Sequence, residues 1–210
     1  MVEAVLLRSP LGEWAERFAA IPAAIALVEK PFQTMVNLRV RPGAPATAVE
    51  NALGFALPHT PSPHTASVDG NGDRALWLAP DEFLIISENR PASHLVDLLR
   101  AALGSTEYGA AVDVSAQYTT VGLRGTETRD LLAGGCSTDF SVEAAPTGTC
   151  VHSPLAQASV VIIVTDAANG SFDLIVRSSF ARYLAAWLIS AAQEYAEHGS
   201  PARVSARESV

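Results

Sequence analysis

Five histidines, His59, His64, His94, His152 and His198, are the first side chains that could hold a metal or move a proton. They never fall in HxH or HExxH spacing, and none stands at zinc-ligand spacing from Cys136 or Cys150, so the pattern of a metal centre is missing. His59 and His64 lie in a proline-rich stretch that reads as solvated loop. The run Gly134-Gly-Cys-Ser-Thr138 has the composition of a phosphate cradle, but it ends a helix instead of joining a strand to a helix N-terminus, so its amides need not converge on an anion. As a nucleophile Cys136 would need a base to form thiolate, and the sequence offers none. Ser115, in Val112-Asp-Val-Ser115, lacks the GxSxG turn that exposes a catalytic serine. Lys30, the one lysine in the chain, precedes Pro31 in no Schiff-base or P-loop pattern. Asn169-Gly-Ser171 matches a glycosylation sequon and reads as turn chemistry.

The bulk composition narrows the partners. With 14 basic and 22 acidic residues the formal net charge is −8, a field that repels phosphate backbones and anionic lipid, so neither nucleic acid nor a membrane surface is an expected partner. No apolar run approaches the roughly 20 residues of a spanning helix. Residues 1–10 carry Glu3 and Arg8 and lack an apolar signal region, so the chain is expected to stay in the cytoplasm, with Cys136 and Cys150 as free thiols. At 210 residues and 49% hydrophobic content, the core suffices for one large body or two fused small ones.

The elements that must position any site emerge from periodicity. Residues 6–30 are irregular, with Pro10 and Pro22 around a short helix near Gly12 to Ala20. Met35 to Val40 predicts a strand, and Thr47 to Leu53 a short helix. Pro58 to Asp73 predicts a polar loop. Ala75 to Leu78 and Phe83 to Ser87 form a hairpin, with Pro80 set for the first central position of a type I turn. Pro91 opens a helix whose Leu95, Leu98, Leu99 and Ala102 share a face, and Gly104 stops it. The pattern then repeats. Gln117 to Leu123 is a strand, Thr126 is placed to cap a helix ending at Gly134-Gly135, and Cys150 to Leu155 is a further strand. Ser159 to Val164 joins Phe172 to Arg177 through the hairpin dipeptide Asn169-Gly170, and a long helix carries Phe180, Tyr183, Leu184, Trp187, Leu188, Ala191 and Tyr195 on one apolar stripe.

Each half therefore reads strand, short helix, hairpin, long helix. Leu38-Arg39 answers Leu123-Arg124, and Phe83-Leu-Ile-Ile86 answers Phe172-Asp-Leu-Ile-Val176. The expected fold is α+β, two similar βαββα (ferredoxin-like) halves packed as one body. The boundaries are an N-terminal arm over 1–33, a first half over 34–108, a second over 109–198 and a disordered tail over 199–210. Aromatic residues such as Trp77, Phe83 and Trp187 belong to the core by their periodicity, although Trp77 and Tyr118 are also placed to face a partner.

Ala111-Val-Asp-Val-Ser115, Gly122-Leu-Arg-Gly125, the helix Thr126 to Leu132, Asp139-Phe140 and Gly148 resemble the folate-binding domain of the glycine-cleavage T-protein family, over about Gly109 to Ala192. A wider set resembles the sarcosine oxidase gamma subunit family over nearly the whole chain. It comprises Arg8-Ser-Pro-Leu11, Val36-Asn-Leu-Arg39, Leu76-Trp-Leu-Ala-Pro-Asp-Glu-Phe-Leu-Ile85, Val112-Asp-Val-Ser-Ala-Gln117 with Thr119-Thr120, Gly135-Cys136, and Val176-Arg-Ser-Ser-Phe180. The ordered combination is specific where single pieces are not.

That resemblance implies a heterotetramer whose alpha, beta and delta subunits carry FAD, FMN, NAD, zinc and the tetrahydrofolate site. The assembly would oxidise sarcosine to glycine and pass the one-carbon unit to folate. This chain would carry no cofactor and pack against the alpha and beta subunits. Where the T-protein family places acidic residues after its glycine segment, this chain has Leu155-Ala-Gln-Ala-Ser159, so no catalytic residue carries over. Asp113, Ser115, Gln117, Tyr118, Arg124, Arg177 and Trp77 are the candidate ligand or interface contacts. In a reading as a stand-alone folate-binding or aminomethyl-transfer protein, Asp113 and Arg177 would touch the ligand.

Overall fold

Side-chain alternation along the strands decides the layers of this molecule. The computed structural model describes residues 8–21, 23–63, 65–66, 72–104 and 108–195. The expected disordered tail, His64 and His198 lie outside the described residues. A 3-10 turn at Gly12–Trp14 and helix α1 (Ala15–Ala19) lead into β1 (Ala26–Lys30), β2 (Thr34–Arg39), α2 (Ala44–Leu53), β3 (Ser62–Pro63) and β4 (Thr65–Ala66). Next come β5 (Arg74–Ala79), β6 (Glu82–Ser87), α3 (Ala92–Leu103) and β7 (Ala110–Asp113). A 3-10 turn at Ser115–Gln117 then leads to β8 (Tyr118–Arg124), α4 (Thr128–Ala133), β9 (Thr149–Leu155), β10 (Ala158–Asp166), β11 (Ser171–Arg177) and α5 (Ser178–Gln193).

Among the described residues the strands form two antiparallel sheets, a first in the order β4-β5-β6-β2-β7 and a second in the order β1-β8-β11-β10-β9-β3. The α+β fold of two βαββα halves is therefore present as β2-α2-β5-β6-α3 and β8-α4-β10-β11-α5. Each sheet also takes a strand from outside its own half. β1, from the N-terminal arm, pairs with β8 in the second sheet, while β7, which opens the second half, pairs with β2 in the first. The irregular arm is thus partly a sheet edge, held by pairing to a strand far along the chain.

Period-2 alternation splits each strand between two cores. In β5 and β6, Ala75, Phe83 and Ile85 pack under α2 and α3 with Leu95 and Leu99, whereas Leu76, Leu84 and Ile86 point the other way. In β10 and β11, Val160, Ile162, Leu174 and Val176 pack under α5 with Leu184 and Leu188, whereas Val161, Ile163 and Ile175 point inward to meet the first sheet. The result is four layers: helices, sheet, sheet, helices. Each fully buried Leu, Ile or Val contributes about 1.5–3 kcal/mol, so the inter-sheet core fastens the halves firmly. Charge crosses that junction too. Asp173 on β11, a carboxylate with 2% of its side chain exposed, receives Lys30 Nζ at 2.7 Å from the end of β1 and an Arg74 guanidinium nitrogen at 3.1 Å from β5.

Thr126 does not cap α4. The N-cap position is Glu127, without a side-chain cap hydrogen bond, and the Thr128 hydroxyl instead donates towards the carbonyls of Gly125 at 3.0 Å and Gly170 at 2.9 Å. The physical reason is the close approach of two turns: a Cβ on Gly170, at φ +59, would stand 2.4 Å from the Gly125 carbonyl oxygen and 2.7 Å from Thr128 Oγ1. The proline-rich loop also contains more order than a polar loop predicts, since β3 adds to β9 and β4 to β5. Among the described residues no helix is long and apolar enough to cross a membrane.

Candidate functional site

The seven candidate contacts separate into one cluster and two outliers. The cluster surrounds the point where the chain leaves the first sheet at β7 and enters the second at β8. Asp113 and Ser115 hold that crossing together: the Asp113 carboxylate accepts from the Ser115 amide at 2.9 Å and from its hydroxyl at 2.6 Å. Ser115 Oγ in turn accepts from the Met35 amide at 2.9 Å, and the Val114 amide donates to Met35 O at 2.9 Å. The short polar side chain of Asp113 therefore closes a turn on the backbone two residues ahead, a local use that leaves it committed. Gln117 ends the turn with an exposed side chain, and the Ser178 hydroxyl at the start of α5 donates to Ala116 O at 3.0 Å.

Tyr118 and Arg177 are cross-strand partners of β8 and β11, with the guanidinium carbon 5.6 Å from the ring centroid. Both face the first sheet, two positions from Ile175 and Thr120 along their strands. On the neighbouring strands the same face carries Val161 and Ser159 of β10 and His152 of β9, the register pairing Val161 with His152. His152 Nε2 lies 2.8 Å from Ser159 Oγ. Between this strip and Leu78 and Leu84 of the first sheet a crevice of about 130 Å³ opens.

Arg124 and Trp77 lie elsewhere. Arg124 stands at the far end of β8, between Ala26 and Ser171. Trp77 points away from the inter-sheet core and lines a second cavity of about 240 Å³ under α2, with Val40, Leu57 and Phe83. Glu50 borders that cavity and is already used, accepting from the Leu57 amide at 2.9 Å. Sequence reasoning brought Tyr118 and Arg177 forward, weighed His152 only as one of five scattered histidines without a metal pattern, and passed over Ser159. Alternation along β9 and β10 carries the signal, since it sets His152, Ser159 and Val161 on one face.

The two thiols behave differently. Burial is the largest influence on Cys136 and pushes its thiol up, but hydrogen bonds with Ser153, at 3.3 Å, and Thr138 together bring it below the ordinary value. Burial pushes the Cys150 thiol up to about 12, with the Arg74 charge opposing. Both cysteines are free and buried. Among the described residues no group of three or more His, Cys, Asp or Glu side chains is arranged to hold a metal ion.

Comparison with known proteins bears on about nine-tenths of the chain. Residues 40–194 match the family described as Sarcosine oxidase, gamma subunit family. The sarcosine oxidase subunit gamma of Corynebacterium sp. (strain U-96) is 32% identical over 195 residues, covering 90% of this chain and 92% of that protein. The corresponding subunit of an Arthrobacter sp. is 32% identical over 194 residues, covering 91% and 92%. A chain of the heterotetrameric sarcosine oxidase from Corynebacterium sp. U-96, solved with pyrrole 2-carboxylate, superposes with a TM-score of 0.83 at 32% identity, covering 90% of this chain and 96% of that one. The glycine cleavage system aminomethyltransferase T from Bartonella henselae superposes with a TM-score of 0.58 at 14% identity, covering 87% of this chain and 50% of the other, a likeness of fold.

Proposed function

This chain belongs to the sarcosine oxidase gamma subunit family, and from that premise we propose that it is the non-catalytic gamma subunit of a heterotetrameric sarcosine oxidase. In this reading alpha, beta and delta chains carry FAD, FMN, NAD, zinc and tetrahydrofolate in the cytoplasm. The whole assembly converts sarcosine to glycine and hands the one-carbon unit to folate. The observation that carries it is the end-to-end match: 90% of this chain aligns with 92% of a gamma subunit, so the likeness is to an entire subunit and not to a domain shared among enzymes.

The surface around the chain crossing supports a docking role. Phe32, in the turn from β1 into β2, is 57% exposed; Val112 on β7 is 48% exposed and Phe180 in the first turn of α5 is 45% exposed. The elements bearing them meet at the crossing through the Met35, Ser115 and Ala116 contacts described above. Exposed apolar side chains on adjoining elements are a feature by which interaction surfaces are marked. Phe32 also sits at φ +59, a conformation a bulky side chain adopts at a cost, which a role in contact with another chain would explain.

The test is turnover by the isolated chain. Purified alone, it should oxidise no sarcosine and transfer no one-carbon unit to tetrahydrofolate, with or without added flavin; catalysis above the buffer rate would overturn the reading.

A further inference from the structure

We propose that the crevice between the sheets at Tyr118 and Arg177 binds a small free monocarboxylate with an apolar body about the size of a benzene ring. The proposal is independent of the subunit reading and rests on four observations. First, the strand register gathers the polar groups on one lip: Arg177 pairs with Tyr118, and the adjacent pairing of Val176 with Val160 sets Arg177 next to Ser159. Second, the floor is aliphatic, formed by Leu84, Val161 and Ile175, all buried, and partly buried Leu78. Water gains little from such a floor, while an apolar ligand gains by covering it.

Third, the charge is unbalanced. In a chain with 22 acidic and 14 basic residues, the crevice lining contains a guanidinium and no acid. Among the described residues Arg177 forms no salt bridge, and its guanidinium lies 5.6 Å from the Tyr118 ring. A guanidinium offers paired N–H donors that match a carboxylate, so the missing partner has an obvious chemistry. Fourth, the volume of about 130 Å³ is close to the ~150 Å³ of an apolar cavity known to take benzene.

The hydroxyls complete the polar end. In the tautomer with the proton on His152 Nε2, that N–H donates to Ser159 Oγ and leaves the Ser159 O–H free to donate outward. The Tyr118 hydroxyl can donate beside it. A carboxylate at the lip would thus meet Arg177, Ser159 and Tyr118, with its apolar body on Val161 and Ile175.

Benzoate and its neutral isostere benzamide test this, each titrated by ligand-observed NMR into the full chain and into the assembled complex. Benzoate should bind saturably to both, and benzamide at least tenfold more weakly. Arg177→Met should weaken benzoate at least tenfold without changing the melting temperature, and Ser159→Leu, which fills the crevice from its exposed rim, should abolish binding. Absent saturation with benzoate, equal binding of benzamide, or full affinity in Ser159→Leu would each overturn the proposal. Binding by the isolated chain that vanishes in the complex would overturn it too, because the carboxylate would then come from a neighbouring chain.

Discussion

Lys30 Nζ lies 2.7 Å from Asp173 Oδ1, and this contact joins the N-terminal edge strand to the middle of the second sheet. Arg74 brings the first sheet to the same carboxylate. Asp173→Asn keeps the shape but leaves two cations at the junction without their counter-charge. Removing one partner of a buried ionic cluster typically costs about 3–5 kcal/mol; Lys30 keeps some water contact, so a loss near 3 kcal/mol is expected. Urea unfolding followed by tryptophan fluorescence would measure it, and an unchanged midpoint would show that the cluster does not fasten the halves.

Two glycines separate steric from conformational cost. Gly54 sits at φ +82, and a Cβ added there would meet nothing within 4 Å, so Gly54→Ala should lose about 1 kcal/mol from the left-handed backbone alone. Gly125→Ala adds a clash with the Ala24 carbonyl and should abolish soluble expression or lower stability by more than ~3 kcal/mol. Thermal melts of the two variants side by side give the comparison.

Cys150 makes stability fall at alkaline pH. Its folded-state thiol is raised to about 12, so above the ordinary thiol value near 9 the unfolded chain releases a proton that the folded chain retains. The stabilisation is complete below that value and is lost as pH rises towards 12, at ~1.4 kcal/mol per pH unit. Between pH 8 and 10.5 the parent chain should therefore lose roughly 2 kcal/mol more than Cys150→Ala does. Parallel slopes in denaturant titrations across that range would contradict the assignment.

Phe32 offers a way to separate assembly from folding. Phe32→Asn suits the left-handed backbone and should leave the stability of the chain within ~0.5 kcal/mol. It removes a ring that is 57% exposed, against 45% for Phe180. Truncation of an aromatic anchor at an interface commonly costs about 2 kcal/mol or more, so affinity for the other subunits should drop by at least about tenfold. Biolayer interferometry with the immobilised variant would read this directly.

Much of the architecture was legible from local pattern. The hairpin about Pro80 and the helix after Pro91 follow from periodicity and turn chemistry that the tertiary structure leaves in place. The last helix keeps Leu184 and Leu188 of its predicted stripe buried, but Phe180 and Tyr183 stand exposed and Ala181, Ala185 and Ile189 take the buried face instead. The strands taken from outside each half were not legible. β1 is five residues bracketed by Pro22 and Pro31, and β7 is Ala-Ala-Val-Asp, a weak strand former whose extended state comes from pairing with β2. Such non-local pairing leaves no period in the sequence. The candidate site divides in the same way. Tyr118 and Arg177 stood out by type, and register then made them neighbours. Asp113 and Ser115 stood out equally, yet the chain crossing uses them to close its own turn.

Whether this chain is a subunit of such an oxidase is decided by co-expressing it, affinity-tagged, with the alpha, beta and delta chains of its own host and examining the captured material by native mass spectrometry. The captured material should be a flavin-containing assembly with one copy of each chain that oxidises sarcosine, and omission of this chain should abolish that assembly. Recovery of the tagged chain alone, with the other three assembling and turning over without it, would contradict the subunit role.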